Sequence, residues 1–416
     1  MVISASTFKL RAKAQGDNKR FSIINHLGHS CWDAQDANPH EQTARRVGAD
    51  RWIGHVSQYG AGRVRRMMKI AAVTFLSLFS LAAVVAASTV AAGMENEKIT
   101  GPTAFVYDPV FLEHETGPGF PESPNRLRWL TAHLESLALS ASLLRITPDE
   151  GIDPVPWIAE FHDKDYIEAL REACRDGEKF LGRSPDSPIS ERSWAAAVRA
   201  VGAALSAVDA VMDGRARNAF AAVRPPGHHA MPDSAKGFCL FGNAAIAARY
   251  AQKKHGIERV IIIDWDVHHG DGTQEMTYDD PTIFCFSTHQ YPFYPGSSGA
   301  AKNTGEGKGK GFNLNVPLAA GSGDQAALSA FRNELTQAFR RFRPQFVIIS
   351  AGFDAHEDDP LGGLGWTSGV YGQLTGIVRE LCREQGHERI VSVLEGGYSK
   401  RGMTEGVAAH LEALAE

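Results

Sequence analysis

The chain has 416 residues, 43% hydrophobic and 22% charged, which is enough apolar material for a large folded domain and excludes a disordered chain. A formal net charge of −5 excludes a general nucleic-acid binder, though not an enzyme acting on a basic protein or peptide. The five cysteines (Cys31, Cys174, Cys239, Cys285 and Cys382) are scattered with no CxxC pair, so neither a disulfide framework nor a cysteine zinc site is expected.

Residues 1–67 are polar, rather basic and aperiodic, and read as an unstructured or mis-assigned extension. In residues 68–93, an apolar run follows Arg63, Arg65, Arg66 and Lys69 and ends in small residues. That layout predicts a secretory signal peptide, cleaved between Ala86 and Ala92, and hence an exported or periplasmic protein. Two alternatives stay open. Residues 70–92 approach the length of a single membrane anchor. Translation from Met94 would instead give a cytoplasmic protein.

From Thr103 onward, short β-branched runs alternate with longer helical stretches. The runs are TAFVY (103–107), AFAAV (219–223), RVIIID (259–264), TIFCF (282–286), FVIIS (346–350) and IVSVLE (390–395). Helices are predicted over 192–213, 243–254, 325–341 and 369–384. The alternation predicts an α/β fold: one domain over 103–413, with a mainly parallel central sheet flanked by helices. Continuous apolar strands suit a sheet covered on both faces.

The polar segments at the ends of these runs carry the chemistry. RPPGHHA comes after AFAAV, DWDVHHGDG after RVIII, and STHQ after TIFCF. AGFDAH comes after FVIIS, and EGGYS after IVSVL. Ligands of open α/β sheets bind beyond the carboxyl ends of the strands, so these clusters of His, Asp, Ser and Tyr should converge there. GEGKGKG (305–311) lacks the ending and context of a phosphate loop and reads as a surface loop.

On an extended chain Asp264, Asp266 and His268 share one face. Asp266 and His268 can then reach one ion, with Asp354 arriving from another strand. Three O/N ligands leave a position open, which is the arrangement of a catalytic rather than a structural zinc. The alternative for Asp264 and Asp266 is a capping role. Two aspartates leave a zinc centre with little net charge, so a further group should stabilise a developing oxyanion; Tyr398 is the candidate, with Gly396 and Gly397 allowing close approach. His228 and His229 suit proton transfer near neutral pH, and each needs a partner to set its tautomer. Asp264 and Asp271 are the partners available.

RPPGHHA (224–230), GFCLFGN (237–243), DWDVHHGDGTQ (264–274), SAGFDAH (350–356) and LEGGYS (394–399) together resemble the histone deacetylase family, its class II members above all. FPESPNRL (120–127) and FHDKDYI (161–167) fit as well. The resemblance implies an arginase-like fold and one catalytic zinc on Asp266, His268 and Asp354. It implies His229 as general base and acid backed by Asp271, His228 as its electrostatic partner backed by Asp264, and Tyr398 as the carbonyl-polarising group. It further implies Phe238 and Tyr294 as tunnel walls, Asp186 as the acid that holds a substrate backbone, and a structural potassium near Asp264, Asp266, His268, Ser287 and Thr288.

The implied activity is removal of the acetyl group from acetyl-lysine in a protein or peptide, with a small acetylated amine as the alternative. Tyr398, rather than His, implies the form active on acetyl-lysine. Leu361 stands where polyamine-selective relatives carry a glutamate, which sets polyamines second. Phe120 replaces the usual His of its motif, and Gly242 a common Asn. A binuclear manganese ureohydrolase would need a second full ligand set, and an acyl-lysine binding module would show a defective site; neither pattern is seen. No oligomeric state follows from the sequence.

Overall fold

The apolar runs at 260–263, 346–349 and 390–394 lie at the buried centre of a sheet in the computed structural model, which describes residues 101–182, 184–296 and 298–416. The expectations for residues 1–67, for 68–93 and for Cys31 lie outside the described residues. The strands are β1 (Thr103–Val106), β2 (Leu144–Ile146), β3 (Asn218–Ala221), β4 (Val260–Asp264), β5 (Ile283–Gln290), β6 (Asn313–Leu318), β7 (Phe346–Ala351) and β8 (Ile390–Leu394). Their order is β2-β1-β3-β8-β7-β4-β5-β6. Expected to be mainly parallel, the sheet is parallel at every pairing. This is the α/β arrangement of the arginase and deacetylase folds.

Helices cover both faces, as a parallel sheet with crossover connections requires. They are α1 (Asn125–Glu135), α2 (Lys164–Arg175), α3 (Ser193–Met212), α4 (Asn243–His255), α5 (Asp271–Thr277), α6 (324–342), α7 (Ser368–Glu384) and α8 (Val407–Ala415). The long apolar α3 is a core helix: it packs on β3 and β1 and buries most of its alanines. The helix expected over 325–341 is α6, built from Asp324–Ala330, a π turn at Phe331–Leu335 and Thr336–Phe342.

Three differences from the sequence reading have physical causes. TIFCF was expected to end at Phe286, whereas β5 continues to Gln290, so STHQ belongs to the strand. β2 and β6 were not anticipated. The first has only three residues, and the second, NLNVPL, mixes Asn with Pro317. Both are edge strands, where a proline costs no ladder hydrogen bond. Cys174, Cys239, Cys285 and Cys382 are free and buried, in line with the sequence.

The register aligns one row across the sheet: Ala221 pairs with Val393, Val393 with Ser350, Ser350 with Asp264 and Asp264 with Ser287. Beyond this row on β3, β8, β7 and β4 begin the polar segments, so motifs far apart in sequence emerge side by side.

Candidate active site

β4 ends at Asp264, and the chain then turns, so alternation no longer governs residues 265–268. Asp264 therefore does not share a face with Asp266 and His268, and it meets His228, the partner expected for it. Its Oδ1 accepts the Asp266 backbone N–H at 3.0 Å, and its Oδ2 accepts from His228 Nδ1 at 3.0 Å. Asp266 and His268 turn instead toward Asp354, beyond β7. His268 Nδ1 lies 3.1 Å from Asp266 Oδ1 and 3.3 Å from Asp354 Oδ2. All three residues place a ligand atom within 4.8 Å of one another.

Several observations fit this trio to a metal ion. Asp354 Oδ2 is buried and has no hydrogen-bond partner, an expensive arrangement unless a cation takes the lone pair. Asp354 Oδ1 is held by the Val267 N–H at 2.8 Å. Asp266 is aimed by the His268 N–H on Oδ1, at 2.9 Å, and the Gly396 N–H on Oδ2, at 2.8 Å. Only glycine fits at 396: a Cβ there would meet Asp354 Oδ2 at 2.1 Å and Asp266 Oδ2 at 2.6 Å. Burial and the Asp266 charge push the Asp354 carboxyl up to about 7, as expected of two buried carboxylates placed to share a cation. One carboxylate, one imidazole and a second carboxylate form a zinc-type donor set.

The two histidines behave differently. His229 Nδ1 donates to Asp271 Oδ1 at 2.8 Å, while Lys236 Nζ takes Asp271 Oδ2. Burial and the neighbouring His228 lower His229 to about 4, so it is neutral and proton-accepting at Nε2. For His228, burial opposes charge, but Asp266 and Asp264 outweigh it and raise the imidazole well above its usual range. The pair therefore divides into a neutral base and a cation, with ring centroids 4.0 Å apart. Asp271, the first residue of α5, is lowered to about 2: burial works against its charge, and His229 and Lys236 prevail.

Tyr398 lies opposite. Burial raises its phenol well above the normal range, which keeps it a proton donor. The Arg126 guanidinium sits 4.9 Å from its ring centre, and the Phe238 ring is 5.7 Å away. These groups open into a cavity of about 270 Å³, lined by Asp186, His229, Phe238, His268, Phe293, Tyr294, Leu361 and Tyr398. Of the residues singled out from the sequence, Asp186, His229, Phe238, His268, Tyr294, Leu361 and Tyr398 line this cavity, and His228, Asp264, Asp266, Asp271 and Asp354 join it through the contacts above. Of the residues suggested for potassium, Ser287 gives its hydroxyl to His289 at 2.8 Å, and Thr288 Oγ1 is buried without a partner. Asp186 was expected to hold a substrate backbone. In the structure its Oδ2 accepts from the Tyr294 hydroxyl at 2.8 Å.

Sequence reasoning missed four contributors. Asp359 Oδ2 accepts the Tyr398 and Ser399 N–H groups, at 2.7 and 3.0 Å. Glu395 Oε2 accepts the Gly227 and His228 N–H groups, at 2.7 and 3.1 Å, and so fixes the histidine loop. Phe293 stacks on His268, with centroids 5.5 Å apart. Lys236 completes the surroundings of Asp271. The clue for the first two was a carboxylate beside a glycine-rich turn, which also describes many surface acids.

Residues 120–414 match the histone deacetylase domain family. The chain is 38% identical over 320 residues to the histone deacetylase-like amidohydrolase of Pseudomonas aeruginosa, covering 73% of this chain and 83% of that protein. It is 35% identical over 304 residues to the polyamine deacetylase HDAC10 of Homo sapiens, covering 70% of this chain and 44% of that protein. The crystal structure of the HDA15 HD domain superposes with a TM-score of 0.70 at 35% identity, covering 76% of this chain and 88% of that one.

Proposed function

The chain belongs to the histone deacetylase family and is a hydrolase of carbon–nitrogen bonds other than peptide bonds, and from that premise we propose that it removes the acetyl group from acetyl-lysine in proteins or peptides. The observation that carries this reading is the convergence of Asp266, His268 and Asp354 below an aromatic-walled pocket, with a neutral His229 on one side and Tyr398 on the other. A linear acylated side chain suits such a pocket, since its stem is apolar and its amide lies at the far end.

Asp266, His268 and Asp354 would hold one zinc, which when bound polarises the acyl carbonyl and makes a water more acidic. His229 Nε2 accepts the proton of the attacking water. Asp271 keeps the opposite nitrogen protonated, so the accepting lone pair points into the pocket. His228, held cationic by Asp264 and Asp266, limits the basicity of His229 and favours delivery of that proton to the departing amine. The Tyr398 hydroxyl, kept neutral by burial, donates to the oxygen on which negative charge develops. Phe238, Phe293 and Tyr294 exclude water from the stem.

Likeness to a polyamine deacetylase supports small acetylated amines as the second reading. Leu361 lines the mouth and brings no negative charge to draw in a polycation, which favours acetyl-lysine. The test is turnover, by the zinc-loaded protein, of an acetyl-lysine peptide and of an acetylated polyamine, with acetate measured. A larger kcat/KM for the peptide is expected; preference for the polyamine would replace the first reading with the second.

A further inference from the structure

A second concavity, of about 570 Å³, opens at the β1–β2 edge of the sheet. Its walls come from the chain just beyond β1, the loop just beyond β2 and the first turns of α3. The groove therefore shares the carboxyl-end rim of the sheet with the reaction pocket.

Ala195, Val198 and Gly202 recur at helical spacing and give α3 one apolar face toward the groove. Val110 and Ile152 line it from the two loops. Pro154 closes against Gly202, where a Cβ would lie 3.3 Å from the proline ring. Trp194, half-buried, adds its indole.

The lip of this trough is negative. Arg199 Nε donates to Asp108 Oδ2 at 2.7 Å, so these two lining charges cancel. The loop TPDEGIDP (147–154) carries three acids and no base. Two of them, Asp149 and Glu150, are exposed and line the groove. The Gly151 N–H donates to Asp149 Oδ1 at 2.8 Å and fixes that carboxylate. Arg171, 5.9 Å from the Trp194 ring centre, sits 3.8 Å from Glu168 and does not line the groove.

An apolar trough with an acidic lip suits a segment in which an apolar side chain stands beside Lys or Arg, whose stems are apolar and whose heads are charged. A free polyamine matches the lip but brings no bulky apolar group for the trough. Position points to the same occupant. From the β2–β1 edge to the β8–β7 centre, where Tyr398 and Asp354 emerge, is three strand spacings. That is about 14 Å. An extended polypeptide covers it in about four or five residues.

We propose that this groove docks a basic and apolar segment of the acetylated polypeptide itself, about five residues from the lysine held in the reaction pocket. This rests on the acetyl-lysine reading above. The groove then selects among acetylated polypeptides by their sequence, while the reaction pocket handles only the acyl side chain.

The test uses the zinc-loaded full chain and two substrates. One is a peptide of about twelve residues with Arg-Leu-Arg placed about five residues from the acetyl-lysine, on each side in turn. The other is a tripeptide centred on acetyl-lysine, too short to reach the groove. On one of the two sides, the long peptide should have a KM about threefold to tenfold below that of the tripeptide, with similar kcat. Asp149→Asn combined with Glu150→Lys should erase this advantage and leave the tripeptide unchanged. Ala195→Phe, which fills the trough without altering charge, should do the same. An advantage kept in both variants, or an equal loss for the tripeptide, would overturn the proposal. If Ala195→Phe fails to fold, the loop variant decides alone, since both its side chains are exposed.

Fluorescence anisotropy of the labelled long peptide without its acetyl group separates the two readings. If no acetylated peptide is turned over, yet this probe binds the unmodified protein and releases from the loop variant, the acetyl-lysine reading fails and the groove stands. Equal binding to both proteins would sink the groove. Tighter competition by a free linear tetraamine than by unlabelled peptide would reassign it to polyamines. A dimer in sedimentation that Ala195→Phe dissociates would reassign it to a second copy of the chain.

Discussion

Asp359 Oδ2 accepts the backbone N–H of Tyr398 at 2.7 Å, so the orientation of the phenol is decided by a carboxylate that never faces the pocket. The same side chain holds the Leu361 N–H through Oδ1 at 2.9 Å. Asp359→Ala should therefore disturb catalysis more than binding. A kcat reduction of about tenfold to a hundredfold, with KM changed only a few-fold, is the expected kinetic result. Equal losses in kcat and melting temperature-corrected folded fraction would mean that Asp359 is merely structural.

Tyr398→Phe removes a single hydroxyl from a buried ring. The fold and one zinc per chain should persist, while kcat falls by about a hundredfold to a thousandfold. Metal content by plasma mass spectrometry and steady-state kinetics separate the two effects. Turnover close to that of the unmodified protein would remove Tyr398 from the chemistry.

Gly396→Ala sets a methyl against both ligand carboxylates, at 2.1 and 2.6 Å in the present geometry. Loss of zinc is expected, along with the stabilisation that a ligand bound only to the native state confers. Asp354→Asn should lose zinc too. Chelation of the unmodified protein should lower its melting temperature, whereas Gly396→Ala should no longer respond to chelator. Full zinc occupancy in Gly396→Ala would contradict the tight fit.

His410, on α8, gives a pH dependence separate from the site. Thr375 Oγ1 donates to the Tyr371 carbonyl, so His410 Nδ1 donates to Thr375 Oγ1 at 2.6 Å and Nε2 accepts from Ser392 Oγ at 2.8 Å. Burial lowers the imidazole from 6.5 to about 3 in the folded chain. Protonation thus favours the unfolded state. The stability is fully present above pH 6.5 and is lost as the pH falls toward 3, by about 1.4 kcal/mol per pH unit for one such group. His114 and His162, lowered by burial to about 3 and about 4, act in the same direction. The urea midpoint should fall clearly between pH 7 and pH 5, and His410→Asn should flatten that slope. An identical slope in the variant would show that His410 contributes nothing.

We also propose that residues 68–93 direct export. N-terminal sequencing of the mature protein should then begin after a small residue between Ala86 and Ala92. A chain retained intact from Met1 would end that idea.

Much of this site was legible because its chemistry is local. Strand ends followed by His and Asp announce themselves wherever the strands sit, and Asp266, His268, Asp354, His228, His229 and Tyr398 all came from that signal. Asp264 shows where alternation alone falls short: it put Asp264, Asp266 and His268 on one face, whereas the strand stops at Asp264, which pairs with His228 as expected. Asp359 and Glu395 were illegible because accepting backbone N–H groups leaves no trace in residue type. Asp186 was noticed as an acid at the mouth, yet its partner is a tyrosine 108 residues away, a distance no local pattern spans. The insertion of β8 and β7 between β3 and β4 was hidden for the same reason.

That insertion also makes the two C-terminal strands the link between the halves of the sheet. β2-β1-β3 and β4-β5-β6 share no ladder of their own and are joined only through β8 and β7. His228 belongs to one half and Asp264 to the other. Asp354, Glu395 and Tyr398 arrive only with the strands that close the gap. A chain ending before residue 390 would lack the strand that joins β3 to β7 and with it Glu395 and Tyr398, so it should leave two sheet edges unpaired and miss the phenol placed to stabilise the oxyanion.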